Sequence, residues 1–150
     1  MQCYDGTDSC ATVVPIRRYC QYNDYVLKNI IDLFRDKNTV VLYFSDHGEE
    51  IYDYRDSYGR VVFDDNMKNL GYKYQYEVPF MIWCSDKYKK KYPAIINNIK
   101  KALHRSFRTD EICNVVFHIS QLNTPYYRDK YDLLSPSFVP LDSVSQSMYN

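Results

Sequence analysis

The sequence predicts an α/β fold, and three segments carry that prediction. Between residues 22 and 36 the apolar side chains recur at helical spacing, which indicates a helix with one buried stripe. Residues 39–44 (TVVLYF) and 78–84 (VPFMIWC) are short, continuously apolar runs, typical of strands covered on both faces in a parallel sheet. Helix, short loop and buried strand together form half of an α/β unit.

The segments around the second strand add further elements. Residues 51–77 are rich in Tyr, Asp, Asn and Lys with little periodicity, which predicts a long excursion of the kind that is usually functional or mobile. Ser85 is a candidate cap for a short helix over 87–91. An amphipathic helix is predicted after Pro93, with an inward face made of Ile95, Ile96, Ile99 and Leu103.

The last third of the chain predicts another helix and a possible strand. Thr109 and Asp110 open a helix whose inward residues are expected to be Ile112, Val115, Val116 and Ile119. Leu133 and Leu134 are candidates for a last short strand. From residue 136 to residue 150 the chain is Ser/Pro-rich and is expected to form a loose tail.

Composition excludes some classes of function. Lys+Arg and Asp+Glu are equal at 19 each, so nothing argues for a general nucleic-acid binder. No run approaches the roughly 20 apolar residues that a membrane-spanning helix needs, and the N-terminus has no signal-peptide pattern. The basic run 87–91, with Lys100 and Lys101, has two interpretations: a solvated helix face, or a surface for anionic lipid headgroups.

The chemically informative segment is residues 45–49 (SDHGE), directly after the first strand. Open α/β sheets place their ligands at the carboxyl ends of strands, where Asp46 and His47 would lie. A carboxylate oxygen and an imidazole nitrogen are both good zinc ligands. The alternative is structural: Asp46 caps a turn and His47 is a surface histidine.

Together with 77–83 (EVPFMIW), this segment resembles the C-terminal half of the catalytic domain of phosphoethanolamine transferases of Gram-negative bacteria, in the alkaline phosphatase/sulfatase superfamily. Tyr22-x-Asp24-x-Val26, Asp110 at a helix start and 132–135 (DLLS) are similar to further family elements. The resemblance runs from residue 3 to about 138. It implies a partial three-layer α/β/α sandwich, with residues 1–135 as the C-terminal portion of a sulfatase-like catalytic domain.

The resemblance implies a zinc site, a disulfide and a transfer reaction. Asp46 and His47 would be zinc ligands, and Cys3 and Cys10 are similar to a local disulfide loop. The family's zinc activates a threonine that takes phosphoethanolamine from a phospholipid and passes it to lipid A or a core sugar of lipopolysaccharide. The expected location is the periplasmic face of the inner membrane, with anchoring helices upstream. The threonine and an acidic ligand of the family come from sequence before the equivalent of Cys3.

Departures from the family pattern leave other functions open. The family has histidines in the excursion after Asp-His-Gly, whereas none occurs here between Glu49 and Trp83, and Asn114 stands near another family histidine. His118 is expected to be a packing or surface residue. The alternatives are a sulfatase- or phosphatase-type hydrolase of the same superfamily, or an inactive remnant that acts only as a binding module.

Overall fold

The structure is a computed structural model that describes residues 8–49, 51, 59 and 70–140. In chain order the described elements are α1 (Asp8–Phe34), β1 (Val40–Phe44), α2 (Leu70–Tyr76), β2 (Phe80–Cys84), α3 (Asp86–Lys91), α4 (Pro93–Lys101) and α5 (Ile112–Ser120). Single 3-10 turns occupy Thr109–Glu111 and Asp129–Tyr131. The predicted α/β class is confirmed. Among the described residues, no helix combines the length and apolar character needed to cross a bilayer.

The chain divides into two compact units. The first contains Met1–Arg35 and Val41–Trp83, and the second contains Asp36–Val40 and Cys84–Asn150. The predicted disulfide lies outside the described residues, because Cys3 and the side chain of Cys10 are not among them. That pairing therefore stays a prediction.

The strands β1 and β2 pair with each other, and the contacts at their two ends show that they run antiparallel. The backbone N–H of Ser85, just after β2, donates to the carbonyl of Thr39, just before β1, over 3.0 Å. At the opposite end the rings of Phe44 and Phe80 lie 6.1 Å apart. The prediction of a parallel sheet is therefore wrong for this pair, because a continuously apolar run does not encode the direction of its neighbour.

The apolar segments of the first unit are less covered than predicted. Every β1 residue is at least partly exposed, and in β2 only Cys84 is buried. The predicted helix over 22–36 is confirmed as the C-terminal part of α1, but its apolar stripe is not buried, since Leu33 is 75% exposed and Phe34 44%. In the described residues the sheet has two strands, β1 and β2.

A backbone contact docks the loop after β1 onto the end of α2. The N–H of Gly48 donates to the carbonyl of Gln75 over 2.8 Å. A Cβ at position 48 would lie 2.2 Å from the backbone oxygen of Tyr74 and 3.1 Å from that of Glu77. Only glycine permits so close an approach of two backbones. Helix α2 itself lies inside the predicted excursion 51–77, which is a correction of that prediction.

Ser85, directly after β2 and within the second unit, is fully buried. Its hydroxyl oxygen accepts a hydrogen bond from the N–H of Tyr88, which confirms the predicted cap of α3. The same oxygen lies 3.1 Å from the N–H of Thr39, which donates to it. A single side chain thus begins a helix and extends the β1–β2 pairing by one residue.

The core of the second unit lies between α3, α4, α5 and the segment after α5. Its buried apolar side chains are Cys84, Tyr88, Ile95, Ala102, Val115, Ile119, Leu133 and Leu134. The Tyr88 hydroxyl donates to the carbonyl of Ile119 over 2.5 Å, which ties α3 to the end of α5. Burial raises the pKa of the Tyr88 phenol to about 12.

Several predicted details of the second unit are wrong for local geometric reasons. Val116 is 42% exposed because it lies off the α5 face that carries Val115 and Ile119, which are four residues apart. Leu103 is 72% exposed because α4 ends at Lys101. Cys113, also on α5, is exposed.

The predicted strand at Leu133 and Leu134 is instead a buried turn. The guanidinium of Arg105 donates to the carbonyls of Leu133 and Ser135, both over 2.7 Å, and lies over the ring of Phe138. These carbonyls are therefore satisfied by a side chain rather than by a neighbouring strand. Of the predicted tail, residues 136–140 are described and 141–150 lie outside the described residues.

Replacing Gly48 with alanine is expected to destabilise the first unit, because the added Cβ would overlap the backbone oxygen of Tyr74. The overlapping atom belongs to the backbone and cannot move aside as a flexible side chain would. We therefore expect a loss of about 1–3 kcal/mol in the free energy of unfolding. Urea denaturation measures that loss. Lys37→Ala is the control: Lys37 is exposed in the loop between α1 and β1, and its stability should stay within about 0.5 kcal/mol of wild type. Equal stability of the two variants would contradict the backbone contact.

The phenol of Tyr88 predicts a loss of stability at alkaline pH. The folded protein holds this proton up to a pH of about 12, whereas an unfolded tyrosine releases its proton near its ordinary pKa of about 10. The unfolded state therefore binds fewer protons in this window, and the free energy of unfolding falls as pH rises from about 10 to about 12. Urea denaturation at a series of pH values measures the slope.

Tyr88→Phe removes this contribution and should reduce the slope, at a cost of about 1 kcal/mol at neutral pH for the lost hydrogen bond. Tyr126→Phe is the matched control, because Tyr126 is 78% exposed, and it should keep the wild-type slope. An unchanged slope in Tyr88→Phe would count against the buried phenol as its origin.

Candidate functional site

Asp46 and His47 lie immediately after β1, in a loop held by its own side chains. The hydroxyl of Ser45 donates to the carbonyl of His47 over 2.7 Å. The N–H of His47 donates to Oδ1 of Asp46 over 3.1 Å. These bonds, with the docking of Gly48 described above, fix the loop at the end of the strand, where the sequence predicts the site.

The imidazole of His47 is oriented by a second backbone contact. Its Nδ1 lies 2.9 Å from the carbonyl oxygen of Gly48, and a carbonyl only accepts, so the proton of the neutral ring is on Nδ1. The lone pair is then on Nε2, which faces Asp46 with 3.8 Å between Nε2 and Oδ1. A histidine whose second nitrogen donates to a carbonyl has the arrangement typical of metal ligands.

These two donors fit part of a zinc site. Zinc binds carboxylate oxygen and imidazole nitrogen at about 2.0–2.2 Å, and two such bonds together span slightly more than the 3.8 Å that separates Nε2 from Oδ1. The side chains of Asp46 and His47 are 88% and 37% exposed, so an ion can reach both from solvent. Within the described residues, no group of three or more His, Cys, Asp or Glu side chains is placed to hold a metal ion.

A second polar cluster lies in the second unit, around the fully buried carboxylate of Asp132. Its Oδ2 accepts hydrogen bonds from Nδ1 of His118 and from the hydroxyl of Tyr127, the latter over 2.7 Å. Its Oδ1 accepts from the N–H of Leu134 over 3.0 Å. Burial, followed by the hydrogen bond to Asp132, raises the pKa of Tyr127 above its ordinary value.

The roles of His118 and Asn114 are structural. Nε2 of His118 lies 3.3 Å from the amide nitrogen of Asn98, so both ring nitrogens have partners and neither is available to a metal. The amide of Asn114 donates to Glu111 over 2.9 Å and accepts from the N–H of Arg128 over 2.8 Å. The expectation that His118 is a packing residue agrees with these contacts.

Sequence reasoning missed the partners that position the candidate site. The contacts of Gly48 with Tyr74 and Gln75 join segments more than 25 residues apart, and nothing in residues 45–49 indicates them. The cluster around Asp132 was missed for the same reason. Its sequence signal was only the resemblance of 132–135 to a family element.

The chain is similar to known proteins over most of its length. The sulfatase family model matches residues 16–107. Phosphoethanolamine transferase EptC of Escherichia coli is 28% identical over 119 residues, which cover 78% of this chain and 19% of the relative. The Kdo(2)-lipid A phosphoethanolamine 7''-transferase of Escherichia coli is 36% identical over 87 residues, covering 55% of this chain and 14% of the relative. The chain thus spans no more than about a fifth of the length of these relatives.

Solved structures also show similarity to the phosphoethanolamine transferases. The crystal structure of the C-terminal periplasmic domain of EptC from Escherichia coli superposes with a TM-score of 0.66 at 28% identity, covering 79% of this chain and 32% of that one. A second crystal structure of that domain, in complex with Zn, superposes with a TM-score of 0.65. The chain belongs to the sulfatase family and is a distant homologue of the phosphoethanolamine transferases, matching their periplasmic domain over most of its length.

Proposed function

We propose that this chain is the C-terminal portion of the catalytic domain of a zinc-dependent phosphoethanolamine transferase. The enzyme would move phosphoethanolamine from a phospholipid to lipid A or a core sugar of lipopolysaccharide, at the periplasmic face of the inner membrane. Residues 1–135 would contribute to a three-layer α/β/α sandwich, with a Cys3–Cys10 bridge near its start and a tail over 136–150. The similarity to the periplasmic domain of EptC supports this assignment.

The observation that carries the proposal is the arrangement of Asp46 and His47. The bond from Nδ1 of His47 to Gly48 leaves Nε2 free to bind, 3.8 Å from a carboxylate oxygen of Asp46. A turn-capping aspartate beside a surface histidine, the structural alternative, does not require the ring to be oriented in this way. The crystal structure of the related EptC domain with Zn favours zinc as the ion.

In the proposed enzyme, the zinc ion would supply the charge that activates the reacting groups, and residues of this chain would bind and orient the ion. A bound zinc ion would lower the pKa of a coordinated hydroxyl and screen charge on a phosphoryl group. Asp46 and His47 would hold that ion, and the carbonyl of Gly48 would fix the Nδ1–H tautomer of His47, so that Nε2 is the nitrogen that binds it. No residue of this chain is assigned as the nucleophile. The nucleophile and the remaining ligands would come from polypeptide outside the matched fifth of the relatives.

A hydrolase of the same family is the second candidate, because the matching family model is that of the sulfatases. Phosphate or sulfate release to water from a soluble ester would favour the hydrolase. Transfer to lipid A or core sugar, detected by mass spectrometry of lipopolysaccharide from cells that express the complete gene product, would favour the transferase.

The metal assignment predicts that Asp46→Ala and His47→Ala each weaken zinc binding at least tenfold, since each removes one of two donors. Competition with a chromophoric chelator, using the 150-residue chain, measures the affinity without any need for turnover. Urea denaturation of both variants checks that they remain folded.

His104→Ala is the matched control, because His104 is an exposed histidine in the second unit and outside the proposed site. Its zinc affinity should equal that of the wild type. If His104→Ala weakened binding as much as His47→Ala, or if Asp46→Ala had no effect, the site would not be the loop after β1.

A further inference from the structure

Positive charge is concentrated in one helix pair of the second unit. Residues 86–101, which form α3 and α4 and are here called the lysine surface, carry six lysines and one aspartate, a net charge of +5. The whole chain has as many acidic as basic side chains, so the remaining residues together carry −5. The charge of the chain is therefore segregated although its sum is zero.

The lysines of this surface are exposed and mostly unpaired. The six are Lys87, Lys89, Lys90, Lys91, Lys100 and Lys101. Lys89 forms an ion pair with Asp86 at 3.0 Å, and Lys91 lies over the ring of Tyr92. The other four have no ion-pair or hydrogen-bond partner within the part of the chain that the structure describes.

The backbone beneath these lysines is held firmly. Ser85 caps α3, and buried Tyr88 ties it to Ile119. Helix α4 packs against α3 and is anchored by buried Ile95. The lysines therefore extend from fixed positions, so several can contact one extended partner without the entropic cost of ordering a loop.

Helix electrostatics account for only part of this pattern. Lysines in a last turn interact favourably with the carbonyl end of a helix, which suits Lys91 and Lys101. Lys87, however, lies in the first turn of α3, and its spacing to Lys90 and Lys91 places like charges next to each other. That arrangement opposes folding, and an external anion would relieve it.

We propose that the lysine surface docks onto an anionic phospholipid bilayer. Such a bilayer presents many negative headgroups in one plane, so several lysines can contact it at once, and each adds to the attraction. A nucleic-acid duplex is the alternative anionic partner, and the test below distinguishes it from a bilayer. The proposal does not depend on zinc or on the loop after β1.

The test is flotation of the 150-residue chain with vesicles of equimolar phosphatidylcholine and phosphatidylglycerol, beside vesicles of phosphatidylcholine alone. We expect binding to the anionic vesicles only, and release when salt rises from about 0.1 M to about 1 M, which shortens the screening length from about 10 Å to about 3 Å. Lys87→Gln, Lys90→Gln and Lys91→Gln together should weaken binding roughly a hundredfold, at about fivefold for each lysine.

Two further variants keep the result interpretable. Arginine at the same three positions preserves the charge and should preserve binding. Glutamine at Lys28, Lys37 and Lys73, which are exposed lysines outside the surface, makes the same change in net charge and should leave binding near wild type. Circular dichroism establishes that every variant is folded.

Three outcomes would overturn the proposal: no binding to anionic vesicles, equal binding of wild type and the triple-glutamine variant, or tighter binding to duplex DNA than to anionic vesicles at the same salt. Because zinc is absent from this assay, its failure would leave the assignment of Asp46 and His47 unaffected. In the same way, a failure of the zinc titration would not bear on the proposal for the lysine surface.

Discussion

The pairing of β1 with β2 is the constraint on which the described structure depends. At one end, Thr39 and Ser85 exchange backbone and side-chain hydrogen bonds, and the same serine starts α3. At the other end, the chain leaving β1 meets the chain entering β2, through the contact of Gly48 with Gln75. The antiparallel direction explains why the candidate metal loop lies beside residues 74–77 rather than beside Trp83, the end of β2.

Features that depend on neighbouring residues were predictable from the sequence. The strand that delivers Asp46 and His47, the cap at Ser85 and the helix that starts at Pro93 are each encoded within a few residues by apolar runs, capping chemistry or proline. The prediction that Asp46 and His47 lie at the carboxyl end of a strand needed only the apolar run and the residues directly after it. The structure places their donor atoms 3.8 Å apart.

Features that depend on distant partners were not predictable. The direction of β2 relative to β1, the close approach at Gly48 and the burial of Asp132 are all fixed by residues 14 to 46 positions away. Leu133 and Leu134 illustrate the point: a pair of leucines fits a strand or a buried turn equally well. Arg105, reaching their backbone from 28 residues upstream, decides between them.

Under the proposed function, the exposed apolar side chains of α1 and the pairing of only two donors among the described residues have one explanation. Tyr22, Tyr25 and Leu33 are each more than 60% exposed, and burying a side chain of this size contributes about 1.5–3 kcal/mol. The matched EptC domain is about three times as long as the segment it shares with this chain. In such a domain, added polypeptide would cover α1 and also bring further ligands to Asp46 and His47. Stability and zinc affinity would then rise together, because the same segments supply both.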